Sequence, residues 1–159
     1  MLNISKVPKY LNLAKNLLLK KNIPISLIIF LTNRCNARCS FCFIDFDDGF
    51  TQNKKNELSI EEYKKLAKSL GKDLHHLNFT GGEPFLHPEM VEILEDTLKI
   101  GPASVLTNAT VLKDEWLQRL QQAQSKSRYS LEFRVSIDGF DAETNDPIRG
   151  EGTFARAIR

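Results

Sequence analysis

The sequence predicts an α/β protein in which parallel strands alternate with helices. Three observations carry this prediction. Ile25 to Leu31 is a nearly continuous apolar run with β-branched and aromatic members, the pattern of a strand buried on both faces of a doubly covered parallel sheet. Comparable runs follow helix-periodic stretches, giving strand–helix three times and then a fourth strand. Glycine turns and reactive side chains follow the strands, at the end where α/β sheets and barrels place their ligands.

Residues 5–20 read as an amphipathic helix, with Val7, Tyr10, Leu11, Ala14, Leu17 and Leu18 on one side and Lys6, Lys9, Lys15 and Lys20 around the other. Such a helix covers the outside of the main domain or, being basic, lies on a membrane surface. Asn22-Ile23-Pro24 ends it, dividing the chain into a lead-in over 1–22 and a core domain over 23–159. Ser59 and Glu62 form a capping box for a helix running to about Leu70 and stopped by Gly71. Leu74 to Phe79 is the second strand, with His75 and His76 at its start, away from the ligand end. His87-Pro88-Glu89 opens the next helix, with Pro88 in its first turn and Met90, Ile93, Leu94, Thr97 and Leu98 facing the core. Ala103 to Leu106 is the third strand, followed by Thr107-Asn108-Ala109. Asp114 caps a helix to about Gln122, and 118–129 is polar surface. In the fourth strand, Leu131 to Ile137, Phe133, Val135 and Ile137 share one face and Glu132, Arg134 and Ser136 the other. A polar inward face suits a cavity lining, so Ser136-Ile137-Asp138-Gly139 reads as a ligand-facing strand end. Thr153 caps a last helix starting at Phe154.

The 159 residues allow one domain or part of one, and a hydrophobic content of 42% is enough for a core. A net charge of +2 is too small to mark a nucleic-acid surface. No apolar run is long enough to span a membrane, and no secretory signal is evident at the start, so the expected setting is the cytoplasm. Asp45, Asp47 and Asp48 lack the spacing and closing glutamate of a calcium loop, and are expected to be a solvated connection.

The chemistry centres on Cys35-Asn36-Ala37-Arg38-Cys39-Ser40-Phe41-Cys42, which holds the chain's only three cysteines. Three thiolates on one short loop suit an iron–sulfur cluster and leave one iron without a protein ligand. A closed zinc site would need a fourth ligand, such as a distant histidine. Cys39 and Cys42 also have the spacing of a redox pair, and three inert buried thiols are a further alternative. After the second strand, Thr80-Gly81-Gly82-Glu83-Pro84 offers a turn whose backbone can approach a ligand.

The cysteine spacing, with aromatic Phe41 before the last cysteine, resembles the cluster signature of the radical S-adenosylmethionine (SAM) superfamily, and Gly81-Gly82-Glu83-Pro84 matches that family's Gly-Gly-Glu-Pro motif. The resemblance covers roughly 25–159. It implies that Cys35, Cys39 and Cys42 hold a 4Fe–4S cluster whose fourth iron chelates the amino and carboxylate groups of SAM. It implies that the backbone at Gly81 and Gly82 receives the SAM ammonium, with Glu83 shaping and charging the same site, so that Gly82→Val should weaken SAM binding and spare the cluster. Phe41 is expected to contact the adenine or to pack, and Ser136 and Asp138 to bind ribose or the SAM carboxylate. Arg149 is a cation for that site or an exposed loop arginine. No side chain is assigned a catalytic role of its own. Ala109 stands where the family often has glycine, limiting a left-handed backbone there. The stretch Asn145-Asp146-Pro147-Ile148-Arg149-Gly150 resembles the peptide-maturase and molybdenum-cofactor branch. The implied fold is a partial (β/α) barrel, truncated after about four strands, with the N-terminal amphipathic helix outside it. The implied partners are a one-electron reductant such as flavodoxin or ferredoxin and an unidentified substrate, such as a peptide. An inactive cluster- or SAM-binding relative and a zinc-stabilised interaction module are the competing readings.

Overall fold

The computed structural model describes residues 25–47, 49, 53–70 and 75–159, with positions 11, 14, 15 and 17–19 of the leading segment. The helix expected over 5–20 therefore lies mostly outside the described residues, as does the stop expected at Gly71. The chain runs β1 (Ser26–Thr32), α1 (Ile60–Leu70), β2 (His76–Gly81), α2 (Met90–Ile100), β3 (Ala103–Thr107), α3 (Asp114–Lys126), β4 (Leu131–Val135), α4 (Ala142–Arg149) and α5 (Thr153–Ala157). Short 3-10 turns occupy Lys54–Asn56 and Pro84–Leu86. The four strands form one sheet in the order β1-β2-β3-β4, every neighbouring pair parallel. That is the wall of a partial (β/α) barrel. No helix of the described residues is long and apolar enough to cross a membrane.

Strand alternation sorts the side chains. Ile29, Leu31, Leu77, Phe79, Ala103 and Val105 point into the core and meet Ile60 and Tyr63 of α1, Met90, Ile93 and Leu94 of α2, and Leu120 of α3. Phe85 stacks between Trp116 and Phe133 at centroid distances of 6.0 and 5.9 Å, tying β4 and α3 to the turn after β2. Among the described residues, the helices of the core pack on one face of the sheet and none covers the other in the same way. Ile28 and Phe30 are 62% and 52% exposed, so β1 is not buried on both faces as its apolar run implied. On this open face Ile28, Asn78, Ser104 and Glu132 stand in register across the strands. A polar chain crosses it, from Ser26 Oγ through Asn78 (2.8 Å) to Ser104 (2.6 Å) and His76 (3.1 Å).

The helix ends show which local signals operate. Ser59 and Glu62 make the expected capping box, Ser59 N donating to Glu62 Oε2 at 2.9 Å and Glu62 N to Ser59 Oγ at 3.3 Å. Pro88 lies in the turn before α2, and Glu89 reaches across to cap the neighbouring helix, accepting from Ile60 N at 2.8 Å. Asp114 is already helical, with Lys113 as N-cap, and α3 continues to Lys126. Gly152, with φ 71°, is the N-cap of α5 where Thr153 was expected. Asp146 does the capping from a distance, accepting from Gly152 N and Phe154 N at 2.7 and 2.9 Å. Those hydrogen bonds, the Phe154 N–H foremost, hold its carboxyl down at about 2.

Between α1 and α2, Tyr63 and Thr97 are both fully buried, and their hydroxyls are 2.5 Å apart. Thr97 Oγ1 also donates to Ile93 O at 2.6 Å, and burial pushes the Tyr63 phenol up to about 12. Thr97→Val should strand the phenol without its partner and lower stability by about 1–3 kcal/mol in chemical denaturation. Tyr63→Phe in the same chain should recover much of that loss, because the unpaired group is then gone.

Candidate functional site

β1 ends at Thr32, and the loop that follows carries all three cysteines. The loop is held from β2. Gly82 N donates to Thr32 O at 2.7 Å and Glu83 N to Arg34 O at 2.9 Å, continuing the β1–β2 ladder past a register shift between Phe30 and Thr32. Gly81 has φ 129°, and a Cβ there would stand 2.1 Å from Thr32 O; one on Gly82 would stand 2.2 Å from Arg34 O. Both glycines therefore answer to the chain's own backbone, which presses against the cysteine loop. This corrects the expectation for Gly82→Val. Even Gly82→Ala should displace the loop, so anaerobically loaded iron per chain should drop together with SAM affinity; full iron content in that variant would count against this contact.

Arg34 fixes the base of the loop. Its Nε and Nη2 reach Glu57 Oε1 and Oε2 at 2.6 and 3.0 Å, and Nη2 also donates to Leu86 O at 2.8 Å. Thr32 Oγ1 donates to Glu57 Oε1 at 2.5 Å. Burial alone would push the Glu57 carboxyl up, but the hydrogen bonds from Arg34 and Thr32 hold it below the usual carboxylate range. A carboxyl depressed in the folded state adds stability that is complete above its unfolded pKa of about 4.3 and is lost as pH falls through its folded value. Glu57→Gln should therefore flatten the fall in stability on acidification below about pH 4.5, and at neutral pH cost about 1–3 kcal/mol by leaving Arg34 unpaired.

Glu83 is fully buried and accepts from Phe85 N (3.1 Å), Thr107 Oγ1 (2.7 Å) and Asn108 N (2.7 Å). Burial pushes its carboxyl up, and those three donors pull it back. It joins the end of β2 to the end of β3. It shapes the site from beneath and does not stand at its surface. Beyond β3, Ala109 adopts φ 60°, a left-handed conformation that costs an alanine roughly 1–2 kcal/mol. The substitution of glycine thus does not prevent that conformation; the chain adopts it at a cost.

The thiols of Cys35, Cys39 and Cys42 are free and half-buried. Burial pushes the Cys35 thiol up, the Ala37 N–H draws it back, and the charges of Glu83, Cys39 and Cys42 add to the rise, so the three sulfurs share one neighbourhood. N–H groups face two of them: Ala37 N and Asn108 Nδ2 lie 3.4 and 3.8 Å from Cys35 Sγ, and Arg149 Nη1 lies 3.9 Å from Cys39 Sγ. Donors facing thiolate sulfur fit an anionic iron–sulfur cluster. Among the described residues, no three His, Cys, Asp or Glu side chains are grouped to hold a single metal ion.

Arg149 is not on an exposed loop. It ends α4, whose N-terminus carries a capping box between Asp141 and Thr144, and its side chain is 14% exposed. Its Nε stands 2.5 Å from Asp138 Oδ2 as an ion pair whose angle is not that of a directed hydrogen bond, and its guanidinium lies 5.8 Å from the ring centre of Phe41. One arginine thus joins Cys39, Phe41 and Asp138. Phe41 itself is 61% exposed at the mouth. Ser136 lies just past β4, its N–H donating to Thr107 O at 2.9 Å, and Asp138 N donates to Asn145 Oδ1 at 3.0 Å. The structure therefore brings the cysteines, Phe41, Asp138 and Arg149 into one cluster of contacts, and places Gly81, Gly82 and Glu83 as their support. Arg34, Glu57 and Asn108 were not singled out from the sequence. Thr107-Asn108 was noticed as a motif, but Glu57 carries no local signal, because its partners lie 23 and 25 residues away.

A thiolate-bearing loop at the carboxyl end of a parallel strand, docked on a glycine turn, defines a cofactor site of the (β/α)-barrel kind. Residues 29–159 match the Radical SAM superfamily, and the chain belongs to it. It is 31% identical over 140 residues to the antilisterial bacteriocin subtilosin biosynthesis protein AlbA of Bacillus subtilis, covering 86% of this chain and 30% of that protein. It is also 31% identical over 139 residues to the S-adenosylmethionine-dependent nucleotide dehydratase RSAD2 of Oncorhynchus mykiss, covering 81% of this chain and 36% of that one. In fold it is similar to anSMEcpe solved with bound AdoMet and the Cp18Cys peptide, with a TM-score of 0.65 and 24% identity over 86% of this chain and 38% of that one. The chain spans about a third of the length of these relatives. Membership and the cysteine spacing together support binding of a 4Fe–4S cluster and SAM.

Proposed function

We propose that this chain is the cluster- and SAM-holding part of a radical SAM enzyme that acts on a peptide. The observation that carries the reading is the loop of Cys35, Cys39 and Cys42 at the end of β1, docked on Gly81-Gly82 and latched by Arg149. When bound, the cluster and SAM would supply one-electron radical chemistry for hydrogen abstraction from the substrate. The chain's own residues bind and orient. Cys35, Cys39 and Cys42 would hold three irons, leaving the fourth for SAM. Backbone carbonyls at Gly81 and Gly82 would accept from the SAM ammonium, Ser136 and Asp138 would take the ribose or carboxylate side, Phe41 would contact the adenine, and Arg149 would supply the site's cation. Glu83 acts on this site by fixing the turn. The partners are a one-electron reductant such as flavodoxin or ferredoxin and a peptide, a class supported by the bacteriocin-biosynthesis relative. The lead-in over 1–22, the core over 23–159 and a reducing cytoplasmic setting belong to the same reading.

Anaerobic reconstitution should load about four irons per chain and give a broad absorbance near ~400 nm, and alanine at Cys35, Cys39 or Cys42 should abolish both. With dithionite the loaded protein should convert SAM to 5′-deoxyadenosine. Stoichiometric zinc without iron would reject the reading in favour of an interaction module, and a stable cluster with no SAM cleavage would favour an inactive binding relative. In the whole enzyme, deuterium should pass from a deuterated peptide into 5′-deoxyadenosine; passage from a deuterated nucleotide instead would overturn the substrate class.

A further inference from the structure

We propose that Asn108 is a positioning residue that presents its amide N–H to the sulfur of Cys35 and thereby sets how readily the bound cluster accepts an electron. The inference rests on the function proposed above. Asn108 is nearly buried, at 9% exposure, just past the end of β3. Its backbone N–H is taken by Glu83 Oε2 at 2.7 Å, and its Oδ1 accepts from Thr110 N at 2.9 Å and Thr110 Oγ1 at 2.7 Å. The backbone donor at Thr110 fixes the orientation of the amide, so Nδ2 faces the cysteine loop. An amide nitrogen has two hydrogens to give. Asn36 Oδ1, at 3.0 Å, receives one, and Cys35 Sγ, at 3.8 Å, stands in the path of the other. Asn36 Nδ2 returns to Thr110 Oγ1 at 2.8 Å, closing a ring of three side chains.

Two features mark this ring as more than filler. Ala109 between Asn108 and Thr110 is the only non-glycine residue at positive φ among the described residues, and its left-handed turn lets both neighbours reach Asn36. The ring also adds to the Ala37 N–H, so Cys35 Sγ receives two donors. Hydrogen bonds to ligand sulfur stabilise the more negative, reduced cluster and raise its potential.

The test uses the full chain with its cluster reconstituted, titrated by spectroelectrochemistry and low-temperature paramagnetic resonance. At a poise that half-reduces the parent protein, Asn108→Ala should lower the ratio of reduced to oxidised cluster roughly fivefold, the weight of one ordinary hydrogen bond. Asn108→Asp keeps the acceptor for Thr110 and places a negative charge beside the cluster, so its shift should be in the same direction and larger; it also decides the matter if Asn108→Ala loads poorly. Asn36→Ala opens the ring but leaves the N–H to Cys35, and should shift the ratio less than Asn108→Ala. Unshifted potentials in both Asn108 variants at full iron content would overturn this inference and leave the function standing. Failure of the parent chain to take up iron would overturn both.

Discussion

The site depends on a close approach between two pieces of backbone. Gly81 and Gly82 lie against Thr32 and Arg34 so tightly that neither position has room for a Cβ. The two hydrogen bonds made there, Gly82 to Thr32 and Glu83 to Arg34, extend a parallel ladder into a loop that would otherwise be free of the sheet. Everything on that loop inherits its placement from this contact, including the direction in which Cys35 leaves the strand. A glycine pair conventionally read as making room for a ligand here first makes room for the protein itself.

Electrostatics completes the hold from three sides. Glu57 neutralises Arg34 at the root of the loop, Asp138 pairs with Arg149 at its rim, and Glu83 sits beneath with its oxygens filled by the ends of β2 and β3. The arrangement puts one guanidinium and two N–H groups against sulfur, while the nearest carboxylates are engaged elsewhere. A site meant to carry an anionic cluster and a cationic cosubstrate needs such balance, since uncompensated charge in a half-buried space is costly.

Much of this was legible in the sequence, for reasons that differ by residue. The cysteines, the Gly-Gly-Glu turn and the Ser59–Glu62 cap are short-range patterns whose chemistry depends on spacing alone. The strands were legible from apolar runs, yet the same runs misled about β1, because Ile28 and Phe30 face an open side of the sheet that composition does not distinguish from a core. Arg34 and Glu57 were missed because their pairing exists only once the loop folds back. Arg149 was seen as a cation, but its place at the end of α4 depends on a helix that a segment containing Pro147 did not announce. Ala109 was read by its average preference; the hydrogen bonds of Asn108 and Thr110 on either side outweigh it.

The latch of Arg149 on Cys39 spans 110 positions of the chain. A ribosome delivers the cysteines long before it delivers that arginine, and domains assemble from the N-terminal side as they emerge. Contacts of such long sequence separation also close late in folding. While each molecule is being made, the three thiols therefore exist on a chain that does not yet contain α4. The order of synthesis thus presents the thiols to iron and sulfide before α4 arrives to set its arginine against Cys39.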